Sequence, residues 1–134
     1  KKPMIVVALA IAVAAGLATL RALEAPDVYP RLEEAGARLQ AGLVEGARAA
    51  GVPLTVNRVG SMLTAFFTES PVRDYASAKR SDTARYGRFF HAMLDGGVFL
   101  AASQFEAAFV SLAHRPADLD EASGIARKAF ALAR

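Results

Sequence analysis

The sequence predicts an α+β fold: a small antiparallel or mixed sheet of three to four strands with helices packed on one face. Three observations predict it. A long amphipathic stretch, residues 28–50, precedes two strand-like runs, LTVNRV and SMLTAFFT, divided by Gly60. A second helical pattern, residues 74–94, leads into the apolar stretch GGVFLAASQFEAAFVSLAH, residues 96–114. A last helical pattern opens at Arg115-Pro116. The order is therefore helix, helix, two strands, helix, two strands, helix.

The first helix needs the most justification. Lys1-Lys2 opens onto an uncharged run from Pro3 to Leu20, about the length that spans a bilayer. Small residues at Ala12, Ala14 and Ala15 also imitate a secretory signal. The run is rich in alanine, contains Gly16 and continues into Leu17, Leu20, Arg21 and Leu23 at helical spacing. That continuity favours a buried helix over a membrane span. Residues 1–24 read as one apolar N-terminal helix and residues 25–134 as a small domain. Pro26 ends the helix, and Asp27 is placed to cap the next.

In that next helix Val28, Leu32, Ala35, Leu39, Leu43 and Ala47 recur at three or four, while Arg31, Glu33, Glu34, Arg38 and Glu45 fall mostly on a solvated face. Gly51 closes it and Pro53 follows. Gly60 implies a tight turn, a bulge or a close backbone approach between the two strands. Asn57 and Arg58 fit an exposed edge, with Arg58 structural. From Asp74 to Leu94 helical spacing runs through Tyr75, Ala78, Tyr86, Phe89, Phe90 and Met93; the polar Lys79-Arg80-Ser81-Asp82 forms a loop or a lifted helix end. Gly96-Gly97 suits a helix C-terminus. Beyond it, a period of two puts Phe105, Ala107, Phe109 and Ser111 on one strand face and Glu106, Ala108, Val110 and Leu112 on the other. Both faces are largely apolar, so this segment is expected to be covered on both sides. The final helix carries Asp118, Asp120 and Glu121 early and Lys128 and Arg134 late, as its dipole favours, with Leu119, Ile125, Ala129 and Phe130 as its buried stripe.

With 134 residues, 54% hydrophobic and 22% charged, the chain has the size of one domain and the means to bury a core. Its net charge of +3 is scattered over helix surfaces without interleaved aromatics, which argues against nucleic-acid binding. It has no cysteine, which removes disulfides and thiolate metal sites and fits a cytoplasmic protein. His91 and His114 stand far apart, and nothing has metal-ligand spacing. There is no glycine-rich phosphate loop, no nucleophile elbow and no paired carboxylates at strand ends; Ser61, Ser103 and Ser111 lack a nearby base in sequence.

Glu106 is the odd residue, the only charge between Asp95 and Arg115. A buried carboxylate must find a partner or take up a proton. Alternatively Glu106 sits at a strand end and reaches water, which the pattern alone favours slightly.

The stretches TVNRVGSMLTAFFT (55–68), DYASAKRSDTARYGRFFHAMLDGGVFLAASQFEAAFVSLAH (74–114) and AAGLATLRAL (14–23) resemble the C-terminal part of glutamate-1-semialdehyde 2,1-aminomutases. These are class III aminotransferase-like, fold-type I pyridoxal-phosphate enzymes. The resemblance runs from about Ile11 to the end of the chain. It implies an isomerase that converts glutamate 1-semialdehyde to 5-aminolevulinate, for tetrapyrrole synthesis, using pyridoxal phosphate and its pyridoxamine form. It also implies that the Schiff-base lysine and the aspartate facing the pyridine nitrogen belong to a large preceding domain. Lys79 and Lys128 do not resemble that lysine segment, so this chain is expected to be inactive alone and to bind no cofactor. Glu106 matches a family glutamate that projects into the active site and helps exclude a second carboxylate; Ser103 and Gln104 are expected to line the same wall. The implied partners are the large domain and a second subunit of a homodimer, or self-association of this chain through residues 4–20. The start departs from the family. A Gly-Thr-Leu-Ser-Gly-Asn-Pro-like loop should precede Ile11, its threonine reaching a cofactor phosphate, but Met4-Ile5-Val6-Val7-Ala8-Leu9-Ala10 stand there. The competing readings are a non-catalytic or redesigned structural module, the small domain of another class III aminotransferase, and an exported or membrane-anchored domain.

Overall fold

The computed structural model describes residues 2–134, with side chains from Ile5 onward; Lys1 of the two-lysine start lies outside the described residues. The chain divides into two compact units, the first ending at Arg31 and the second spanning Leu32–Arg134.

The first unit is α1, Lys2–Leu23, followed by a turn and the first residues of α2, Val28–Ala50. Ile5 to Ala10, which the family resemblance aligns with a loop, are helical here. The expectation of a buried α1 is not met: Ile5–Leu23 has a mean hydropathy of 2.2 and none of it is buried. A helix that is apolar all round is ordinarily covered on every side, and this one is left without cover among the described residues. Asp27 does not act as expected either. Its carboxylate takes the Arg31 guanidinium at 3.2 Å, while its carbonyl accepts the Arg31 N–H.

The second unit is the α+β domain that the pattern predicts. β1 (Thr55–Val59) and β2 (Met62–Phe66) form a hairpin in which Val59 pairs with Met62 across Gly60, whose φ of +58° only glycine adopts without strain. β3 (Ala108–Phe109) adds an antiparallel strand, in the order β1-β2-β3. One face, with Leu63 and Ala108, turns toward the helices. The opposite face leaves Val59, Met62 and Phe109 exposed.

Between β2 and β3 lie α3 (Tyr75–Ala78) and α4 (Thr83–Asp95). The polar Lys79–Asp82 segment is the break between them, and Asp82 caps α4 by accepting the Arg85 N–H at 2.8 Å. α5 (Pro116–Leu132) begins at the proline, as read. It runs parallel to α2: Arg38 grips Asp120 at 2.7 and 2.6 Å, Gly42 lies against Ser123, and Gly46 against Arg127 and Phe130. These glycines permit the close approach. Phe130 stacks on Phe89 of α4 at 4.5 Å, and Phe67, just after β2, packs on both rings.

The stretch 96–114 differs most from its expected form. Two strands were expected there, and only Ala108–Phe109 is one; residues 98–107 are irregular. Nor is it covered on both sides, since Phe99 and Phe109 are 79% and 69% exposed. Side-chain hooks explain the short ladder. Tyr86 donates its hydroxyl proton to the Ala101 carbonyl, and Gln104 accepts the Phe67 N–H, which draws residues 101–106 off the sheet edge. Only from Ala108 does the chain lie along β2, and the Val110 N–H, reaching the Ser61 carbonyl at 2.9 Å, extends the contact to the hairpin turn.

Candidate functional site

The loop that these hooks hold carries the three residues singled out in the sequence. Its polar step is a compact turn: the Ser103 hydroxyl accepts the Phe105 N–H at 3.2 Å, and the Ser103 carbonyl accepts the Glu106 N–H at 3.2 Å. Ser103 thus spends its hydroxyl on the turn.

Gln104 turns inward and is 3% exposed. Its Oε1 accepts the Phe67 N–H at 3.3 Å, while its Nε2 has no hydrogen-bond partner among the described residues. The Phe67 donor fixes this orientation, because a flipped amide would set N–H against N–H. Glu106, two residues on, is exposed in the loop that leads into β3. It reaches water, as one of the two readings left open by the pattern has it, but from a loop and not from a strand end. No arginine or lysine forms an ion pair with Glu106 among the described residues.

Gln104 and Glu106 open on one cavity of about 90 Å³, walled by Leu39, Leu43, Leu63, Phe89, Met93 and Leu100. Ser103 is not among its lining residues, so the loop sends two of the three candidates to this wall. Tyr86 also lines the cavity, and burial, then the negative charge of Glu106, pushes its hydroxyl pKa above the usual tyrosine value. Sequence reasoning placed Tyr86 in an apolar stripe and missed its hydroxyl. The available signal was a tyrosine at a core position, since a buried hydroxyl needs a partner.

The remaining polar candidates have structural work. Arg58 donates to Gln40, to the Gly60 carbonyl and to Glu33, each at 2.7 Å, and so fastens the hairpin to α2. Ser111 does have a base beside it, contrary to the sequence reading: His114 Nδ1 lies 3.3 Å from its hydroxyl. That nitrogen accepts the Ser111 N–H at 3.0 Å, and the Asp118 carboxylate is held by Arg115, so the group closes a turn and builds no nucleophile. Lys79 and Lys128 are exposed, and neither lines the cavity. The described residues around Glu106 therefore supply neither an amine to bond a pyridoxal cofactor nor a cradle for its phosphate.

No protein-family model matches the chain. Individual relatives do. It is 62% identical over 120 residues to the glutamate-1-semialdehyde 2,1-aminomutase of Myxococcus xanthus, and 55% identical over 120 residues to that of Pelotomaculum thermopropionicum. Each match covers 90% of this chain and 28% of the relative, so the chain spans little more than a quarter of the curated relatives it matches. Among solved structures, an omega-transaminase from Sphaerobacter thermophilus superposes with a TM-score of 0.81 at 29% identity, over 90% of this chain and 27% of that one.

Proposed function

We propose, from a chain related over nine-tenths of its length to glutamate-1-semialdehyde 2,1-aminomutases, that it is the small domain of such an enzyme and provides the wall of the active site that carries Glu106. The 62% identity over 120 residues is the observation that supports this reading. Pyridoxal phosphate, or its pyridoxamine form, belongs on this reading to the remainder of a longer protein, which supplies the lysine and the electron sink. This chain contributes position and charge. Glu106 lines the cavity, exposed and without an ion pair among the described residues, ready to attract an amino group and repel a carboxylate. Alone the chain has no aminomutase activity, and its place is the cytoplasm.

The partner implied is the large cofactor-binding domain, within a homodimer. Val59, Met62 and Phe109, neighbours in the ladder, form an exposed apolar sheet face that suits such a contact. Without that domain, the uncovered apolar surface of α1 favours self-association through residues 4–20.

The experiment is a graft. Replacing the matching segment of the Myxococcus xanthus enzyme by residues 11–134 should preserve conversion of glutamate 1-semialdehyde to 5-aminolevulinate. A soluble, cofactor-loaded chimera without that activity refutes the reading.

A further inference from the structure

We infer that the cavity beside Gln104 is a binding site for a small neutral molecule bearing a carbonyl oxygen, which accepts the free Nε2–H of Gln104. Three observations converge. The Nε2 group is buried and has no partner among the described residues, and such a donor costs free energy until an acceptor reaches it. Apart from Gln104, Glu106, Thr64 and Tyr86 the walls are apolar side chains, which favour a ligand with an apolar body. The cavity of about 90 Å³ is smaller than the roughly 150 Å³ that admits benzene, which sets the ligand at about five heavy atoms.

The charge of Glu106 on the same cavity decides the class. A carboxylate oxygen would also satisfy Nε2, but it would face Glu106 across an apolar space, so an uncharged carbonyl is selected. The site stands apart from the aminomutase reading, since glutamate 1-semialdehyde carries a carboxylate and is too large for this cavity.

The test uses the whole chain, ¹⁵N- and methyl-labelled, titrated with butanone and separately with 2-methyl-1-butene, which replaces the carbonyl oxygen by a methylene group. Butanone should shift the Gln104 side-chain amide and the Leu39, Leu43 and Leu63 methyls saturably, at roughly tenfold lower concentration than the alkene. Gln104→Glu keeps an acceptor for the Phe67 N–H but removes the donor when ionised. It should abolish the preference for butanone. Equal responses to both probes, no saturable shift of the Gln104 amide, or an amide that contacts only a resident water would each overturn the inference. Wild-type titration decides alone if the variant does not fold. The graft experiment is independent: an active chimera with no butanone site refutes this site only, and binding without chimera activity refutes only the parent function.

Discussion

The Gln104 side-chain carbonyl accepts the Phe67 backbone N–H at 3.3 Å, across 37 positions of sequence. It ties the loop bearing Glu106 to the end of β2, beside the ring that packs on both Phe89 and Phe130. Gln104→Ala removes the acceptor and leaves a buried N–H unsatisfied. The expected loss is about 1–3 kcal/mol, read from the urea midpoint at unchanged slope. A merely superficial loop would show a change below about 0.5 kcal/mol.

Gly36 of α2 meets the hairpin turn. A Cβ there would collide with the Gly60 carbonyl and lie 3.1 Å from the Ser61 Cα, both backbone atoms that cannot rotate away. Gly36→Ala should therefore destabilise by about 1–3 kcal/mol despite alanine's better helix propensity. Gly87, inside α4 with nothing near its missing Cβ, is the control. Gly87→Ala should stabilise by about 0.5–1 kcal/mol in the same thermal or urea measurement.

These two contacts mark the limit of what the sequence makes legible. The hairpin was readable because alternation and Gly60 are local signals, α4 because Tyr86, Phe89 and Met93 recur at helical spacing, and α5 because Pro116 marks its start. The short β3 was not, since its length is set by Tyr86 and Gln104 reaching partners 15 and 37 residues away, and no period encodes those hooks. The exposure of α1 was equally hidden. An apolar helix announces that it must be covered, but not whether the covering atoms lie in the same chain. At the site, Glu106 stood out by its charge and Gln104 by its neighbourhood, while Ser103 is absorbed by its own turn.

Asp118 gives a pH signature. Its carboxyl is lowered to about 2, first by the hydrogen bonds from the Arg115 guanidinium, then by the Arg115 N–H. A carboxyl depressed on folding contributes stability that is present above its unfolded value, near 3.8, and is lost as pH falls toward about 2. Arg115 is exposed and Asp118 half-buried at the surface, so the effect is modest and falls with added salt. Asp118→Asn should lower the urea midpoint at pH 7, and the gap from wild type should close as pH approaches 2. A gap that is constant with pH would show that capping geometry, and not charge, carries the contribution of Asp118.

Glu106→Gln separates charge from shape. In this chain Glu106 is exposed and forms no ion pair among the described residues, so the change should leave the urea midpoint within about 0.5 kcal/mol. It should lower the Tyr86 pKa, because the Glu106 charge is the second cause of its elevation, but not to the ordinary tyrosine value, because burial is the first. Ultraviolet titration of the phenol reads that shift. In the active chimera the same substitution should impair turnover of glutamate 1-semialdehyde and improve acceptance of dicarboxylate amino donors such as glutamate. A like-charge juxtaposition in a desolvated site costs several kcal/mol, and about 1.4 kcal/mol corresponds to tenfold in affinity. Tenfold or more in donor preference is therefore the expected scale. If the chimera keeps its original preference while Tyr86 titrates lower, the charge reaches the tyrosine but not the substrate, and Glu106 is no selectivity element.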